Sequence, residues 1–182
     1  SLLTTIMYRA FQNADHVRQL TIPSSVTTIE AEAFTNIDSL RTVTFADESQ
    51  LATLGDAVFC DNVRLESINI ESCSLLTAIP YNTFAGCQSL KSLKLSDAVQ
   101  TVGQGAFYNT KSMTEITFGT GLTELNDDWG LFYNAPLQKM VLRGVNYPFP
   151  RDYNLPRDII LYVHPDLEEE YRSNNCTKDY HI

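Results

Sequence analysis

The side chains able to do chemistry are few and scattered. Cysteines stand at Cys60, Cys73, Cys87 and Cys176, and histidines at His16, His164 and His181. A zinc site draws its ligands from close pairs such as Cys-x-x-Cys, and no such pair occurs. A serine or cysteine nucleophile needs a base within hydrogen-bond reach, and the spacing sets no histidine beside one. No Gly-rich phosphate loop is present, and Asp127-Asp128 is too short for a calcium loop, which takes further oxygen ligands at regular spacing. Asn175-Cys176-Thr177 formally matches a glycosylation acceptor, a pattern short enough to arise by chance. The expectation is a protein without catalytic, cofactor or metal residues.

Charge narrows the partners. The 182 residues carry 13 Lys+Arg against 22 Asp+Glu, a formal net charge of -9, and no cluster of basic residues. Nucleic acid and anionic membrane surfaces both need such a cluster to displace counterions, so neither is an expected partner. No run of about 18 apolar residues could cross a bilayer, so direct membrane insertion is not expected.

What organises the chain is a repeat. Phenylalanine recurs at Phe11, Phe34, Phe59, Phe84, Phe107 and Phe132, at spacings of 23, 25, 25, 23 and 25 residues. Eight residues earlier lie Leu3, Val26, Leu51, Leu76 and Val99; five earlier lie Ile6, Ile29, Leu54, Ile79 and Val102. Six after come Val17, Leu40, Leu65, Leu90 and Met113, followed by the pairs Leu20/Ile22, Val43/Phe45, Ile68/Ile70, Leu93/Leu95 and Ile116/Phe118. With small shifts the sixth repeat supplies Leu122, Leu125, Leu137, Met140 and Leu142. Each repeat's end alternates, Thr42 and Thr44 to one side and Val43 and Phe45 to the other, which is a half-buried strand. One such strand cannot bury its apolar face alone, whereas stacked coils pair their strands and align their side chains in columns. Two residues past each Phe stands Asn13, Asn36, Asp61, Gly86, Asn109 or Asn134, types suited to a left-handed turn. Length varies mainly after the strand, where Ala46–Gln50 and Glu71–Leu75 are longer, turn-forming loops.

The pattern Leu-x-x-Ile-x5-Phe-x-Asn-x3-Leu-x-x-Val-x-Phe, with Val102-Gly103-Gln104-Gly105-Ala106-Phe107, Phe84-Ala85-Gly86-Cys87 and Leu20-Thr21-Ile22-Pro23, resembles the leucine-rich repeat of BspA-like bacterial surface proteins. The resemblance runs from about Leu3 to Leu142. It implies an α/β repeat solenoid, right-handed, with a parallel sheet on one face, six repeats and little helix. Residues 1–145 would form the array, and 146–182 an irregular segment, a last strand over Asp158–Val163 and a cap. His164 to Tyr171 resembles the terminator of such arrays; Pro165 suits a first helical turn, and Asp166 with the glutamates that follow favours its positive end. The resemblance also implies secretion or surface display in bacteria and recognition of a host or bacterial surface protein. Cys87 falls where that pattern has a buried cysteine, so packing as a small apolar residue is expected, with a Cys60 to Cys87 disulfide the lesser alternative.

A partner would meet the outward strand positions: Gln19, Thr21, Thr42, Thr44, Ser67, Asn69, Ser92, Lys94, Glu115, Thr117, Lys139 and Val141. Such hydroxyls and amides can hydrogen-bond to protein or glycan, though a solvated sheet face requires them as well. Asp47, Glu48 and Glu71 on adjacent long loops read as a solvated acidic rim. Trp129 lies in the insertion 126–130. It is either an aromatic anchor for a glycan, together with Tyr147 to Tyr153, or a cover for the end of the array, the favoured reading. A third role is that of a spacer within a larger protein. The first coil has no preceding polar cap, which leads to the expectation that the natural protein continues upstream or that this edge self-associates.

Overall fold

In the computed structural model, residues 2–126, 130–146, 148 and 159–173 are described. Six coils each contribute two strands: β1 (Thr5–Ile6) and β2 (Gln19–Ile22), β3 (Thr28–Ile29) and β4 (Thr42–Phe45), β5 (Thr53–Leu54) and β6 (Ser67–Ile68). The second half follows suit with β7 (Ala78–Ile79) and β8 (Ser92–Lys94), β9 (Thr101–Val102) and β10 (Glu115–Phe118), β11 (Glu124–Leu125) and β12 (Lys139–Leu142). A last strand, β13 (Ile160–Tyr162), precedes a 3-10 turn over Pro165–Leu167 and the helix α1 (Glu168–Ser173).

All pairing is parallel, as coils wound in one sense and stacked side by side require. The expected sheet is the row of long strands, β2-β4-β6 and β8-β10-β12-β13. Its register matches the repeat columns, Val43 pairing with Leu20 and Ile68, and Ile116 with Leu93 and Met140. A second row, β1-β3-β5 and β7-β9-β11, runs along another side of the coil. Its two-residue strands end in the aliphatic residue five before Phe, or seven before it at Leu125 in the sixth coil, and are too short for alternation to show in the sequence. Both rows break between the third and fourth coils, for neither β5 with β7 nor β6 with β8 forms a ladder.

The phenylalanines form one continuous stack. Successive rings lie 5.2, 5.7, 5.8, 6.0 and 5.3 Å apart and within 14° of parallel. Each ring sits at the centre of an arc bent at both ends. The residue two past Phe is left-handed in every coil, with φ between 56° and 73°. So is the residue two before it, at Arg9, Glu32, Ala57, Asn82, Gly105 and Gly130. Between the bends the Phe N–H donates to the next coil: Phe34 to Val58 O (3.1 Å), Phe59 to Thr83 O (3.0 Å) and Phe84 to Ala106 O (2.9 Å). These bonds run unbroken across the junction where both strand rows stop. The Phe arc is therefore the spine of the molecule.

The arc leaves carbonyls that need donors, and the residue three past Phe supplies them. Fully buried Asn62 donates through Nδ2 to Phe34 O (2.8 Å) and Phe59 O (2.9 Å), while its Oδ1 accepts from Ile37 N–H (2.9 Å). In the next coil Cys87 Sγ–H donates to Phe59 O (3.1 Å), and in the fifth Thr110 Oγ1 donates to Phe107 O (2.7 Å). Cys87 is thus buried as expected, but as a hydrogen-bond donor as well as an apolar filler. It and Cys60 are free thiols, so the alternative of a disulfide between them does not hold. The Asn ladder outside the bend is partial, with Asn36 Nδ2 donating to Asn13 Oδ1 (2.7 Å) and Asn134 to Asn109 (2.9 Å).

The last coil is covered and the first is open. β13 pairs with β12, Ile159 and Leu161 are buried beneath it, and Tyr171 of α1 has no exposed surface. His164 caps the 3-10 turn, its Nδ1 accepting from Asp166 N–H (3.3 Å), and Pro165 follows it as the sequence predicts. At the other end Leu3 (53%) and Phe11 (44%) stay exposed, although they occupy core columns.

Candidate interaction face

The outward positions of the long strands form one face, in two blocks. In the first, Gln19, Thr42 and Ser67 stand in register, with Thr21 beside Thr44. Ser67 Oγ donates to Thr42 Oγ1 at 3.5 Å. In the second, Ser92, Glu115, Lys139 and Ile160 align, and beside them Lys94, Thr117, Val141 and Tyr162. Alternation places these residues outward because their neighbours Leu93, Ile116, Met140 and Leu161 are buried.

The blocks differ in chemistry. Thr42, Thr44 and Ser67 give a neutral hydroxyl surface. Asn69 does not join it freely: the chain leaves β geometry there, and the side-chain amide pairs with the Phe45 backbone, accepting from its N–H (2.7 Å) and donating to its carbonyl (3.0 Å). The second block is charged and aromatic. Lys139 Nζ donates to Glu115 Oε1 (2.8 Å) and lies 5.3 Å from the centre of the Tyr162 ring. Its hydrogen bond to Glu115 holds the Lys139 ammonium above its ordinary pKa. Ile160 (43%) and Tyr162 (50%) extend this block outward. Sequence reasoning found their strand but not their side chains' place on the face; the apolar Ile159, Leu161 and Val163 alternating with them carry that signal.

Trp129, Asp127 and Asp128, together with Tyr147, Phe149 and Tyr153, lie outside the described residues. Asp47 and Glu48 are exposed on the loop expected to be a rim, and Ser49 Oγ lies 3.7 Å from Cys73 Sγ, which ties that loop to the one carrying Glu71. Among the described residues no three His, Cys, Asp or Glu side chains gather as for a metal ion, and no helix is long and apolar enough to cross a membrane. The three described thiols are held in their protonated form. Burial, then the Asp61 carboxylate, pushes Cys60 up to about 12; burial pushes Cys73 up to about 11 and raises Cys87 further.

Parallel coils of 23–25 residues around an aliphatic and phenylalanine core define a leucine-rich-repeat solenoid. The chain belongs to the BspA type leucine-rich repeat family, six copies of whose repeat region match residues 4–141. Among solved structures it is similar to the pneumococcal vaccine antigen PcpA, with a TM-score of 0.74 at 18% identity over 91% of this chain and 41% of that one. It is similar too to a leucine-rich cell surface protein of Faecalibacterium prausnitzii, with a TM-score of 0.67 at 23% identity over 93% of this chain and 41% of that one. For the T. pallidum leucine-rich repeat protein TpLRR the values are 0.66 and 19%, over 80% and 69% of the two chains. At such identities the likeness is one of fold, and this chain spans about two fifths of the first two proteins. No curated protein matches it significantly.

Proposed function

We propose that this array is a protein-recognition domain of a secreted or surface-displayed bacterial protein. The outward face of β8, β10, β12 and β13 would be its docking surface, and residues 1–145 the binding unit closed off by 146–182. The observation that carries this reading is the block of Lys94, Glu115, Thr117, Lys139, Ile160 and Tyr162. It sets exposed aromatic and aliphatic surface beside an oriented ion pair on a rigid sheet, the mix from which interface anchors are drawn. The hydroxyl block of Thr42, Thr44 and Ser67 would extend the footprint as a polar rim. The partner class is a host matrix protein or a bacterial surface protein.

The test is surface plasmon resonance of the purified chain against a panel of host matrix proteins and bacterial surface proteins. Saturable binding is expected, weakened about tenfold or more by Tyr162→Ala or by Lys94→Glu. Absence of binding across the panel would remove the adhesion reading, and binding indifferent to both substitutions would move the site off this face.

A further inference from the structure

One aromatic feature lies away from the strand face. The residue just past each repeat Phe points out of the arc, and along the coils this column reads Gln12, Thr35, Cys60, Ala85, Tyr108, Tyr133. Tyr108 and Tyr133 stack on one another at 5.2 Å and 13°, repeating outside the core what Phe107 and Phe132 do inside it. Tyr133 covers one face of Tyr108. In the fourth coil this position is the buried Ala85, so the aromatic stack stops at Tyr108, which stays 38% exposed. The space beside it is a cleft of about 440 Å³ lined by Tyr81, Asn82, Gln104, Gly105 and Tyr108.

We infer that this cleft is a subsite for a neutral pyranose ring. The cleft lies between the fourth coil, which supplies Tyr81 and Asn82, and the fifth, which supplies Gln104, Gly105 and Tyr108. Tyr81 and Tyr108, exposed to 48% and 38%, supply the apolar faces on which the C–H side of a sugar rests. The side-chain amides of Asn82 and Gln104 make no hydrogen bond with any described residue, and neither do the two tyrosine hydroxyls. These are the polar groups that would meet ring hydroxyls. Gly105 keeps the floor open: at φ 65°, a β-carbon there would overlap Asn82 Oδ1.

The chemistry of the lining discriminates among occupants. It contains no charged side chain, and the protein's net charge is -9, so an anionic sugar or phosphate has nothing to pair with. An aromatic side chain from a protein partner would stack equally well on Tyr108 but would bury the two amides without partners, an outcome disfavoured in a closed contact. A sugar satisfies both. The cleft volume is in the small-molecule range and leaves room for a mono- or disaccharide.

The test is a titration of the isotope-labelled chain with methyl glycosides of glucose, galactose and N-acetylglucosamine, followed by amide NMR, alongside a glycan array. Expected are millimolar binding of at least one of them and shifts confined to the amides of Asn82, Gln104, Gly105 and Tyr108. Affinity should fall about tenfold or more in Tyr108→Ala and in Asn82→Ala. Tyr108→Phe should retain most of it and guards against a folding artefact, as does an unchanged spectrum elsewhere. Tyr162→Ala, on the strand face, should leave it unaltered, which separates this site from the docking surface. A blank array with no shifts would overturn the inference. So would sugar binding that survives Tyr108→Ala, or stronger shifts at the same amides from N-acetyltyrosinamide than from any glycoside.

Discussion

The position three past Phe holds Ala14, Ile37, Asn62, Cys87, Thr110 and Ala135, and in three coils it joins the core to the Phe carbonyls. Asn62 carries the largest share, with three buried hydrogen bonds. Asn62→Ala should cost about 2–4 kcal/mol, because it opens a small cavity and strands the Ile37 N–H and the Phe34 carbonyl, while Phe59 O keeps the Cys87 thiol. Urea denaturation measures it, and a loss below about 1 kcal/mol would mean that water replaces the amide. Cys87 does the same work with a thiol, and that choice has a pH signature. The unfolded chain releases thiol protons near the ordinary value of 9.0, while the folded protein holds them, Cys73 until about 11 and Cys60 until about 12. Stability from these groups is therefore complete below about pH 9 and declines above it, since the unfolded state then binds fewer protons than the folded one. Cys87→Thr installs the group that Thr110 uses. It should hold neutral stability within about 1.5 kcal/mol and flatten the decline between about pH 8 and about pH 10.5. Denaturation midpoints at the two pH values, in variant and parent, decide it. A different residue-scale cost sits at Ala57, left-handed at φ 53° without being glycine. Ala57→Gly should raise stability by about 0.5–1 kcal/mol, since relief of the left-handed strain outweighs the added freedom of the unfolded chain.

At the scale of elements, the coil junctions are unequal. Elsewhere the approach to each long strand is stitched backward, Glu66 N–H to Arg41 O (2.8 Å) and Thr114 N–H to Lys91 O (2.9 Å), but between the third and fourth coils neither strand row is laddered. That junction rests on the Phe arc, where Ala57, Phe59 and Asp61 donate to Tyr81, Thr83 and Ala85. Hydrogen exchange should therefore find the amides of Thr77 and Lys91 less protected than those of Glu66 and Thr114, with Phe59 and Phe84 among the slowest. Equal protection in both rows would mean that the junction is closed in solution. The asymmetry marks what could be read from sequence. The long-strand columns and the Phe turn were legible because each repeats one residue type or one alternation several times over, and the terminator because His164 to Tyr171 resembles the ending of such arrays. The second strand row was not, being two residues long, and nor were the left-handed bends before Phe, because Arg9, Glu32 and Ala57 are not turn formers and adopt φ > 0 only under the tertiary demand of the arc. Asn62, Cys87 and Thr110 went unrecognised as a set because three different donors meet one backbone need. Of the candidate face, Thr42, Thr44, Ser67, Ser92, Lys94, Glu115, Thr117 and Lys139 stand outward as alternation predicts. Asn69 is engaged with Phe45, since β6 has already ended there.

Taken as a whole, the molecule is a stack in which each coil packs chiefly against its neighbours, the surface pair of Arg143 with Asp97 (3.0 Å) reaching one coil further, so the same substitution should cost different amounts at different places. Phe84 lies between two rings and has no exposed surface; Phe11 has one ring partner and is exposed to 44%. Phe84→Ala should lose about 3–5 kcal/mol, the toll of a large cavity in a close-packed core. Phe11→Ala should lose only about 1–2 kcal/mol, because half of its ring is already in water and the first coil can relax around the gap. Phe132 also has a single ring partner among the described residues but is only 8% exposed, so its cost should approach that of Phe84. The gradient is directional, which ring count alone does not predict: the end closed by β13 and Tyr171 behaves as interior, and the open end does not. Urea titrations of the three variants measure this. Equal losses at Phe11 and Phe84 would show that the first coil is covered in solution, whereas a small loss at Phe132 would show that the last coil is as open as the first.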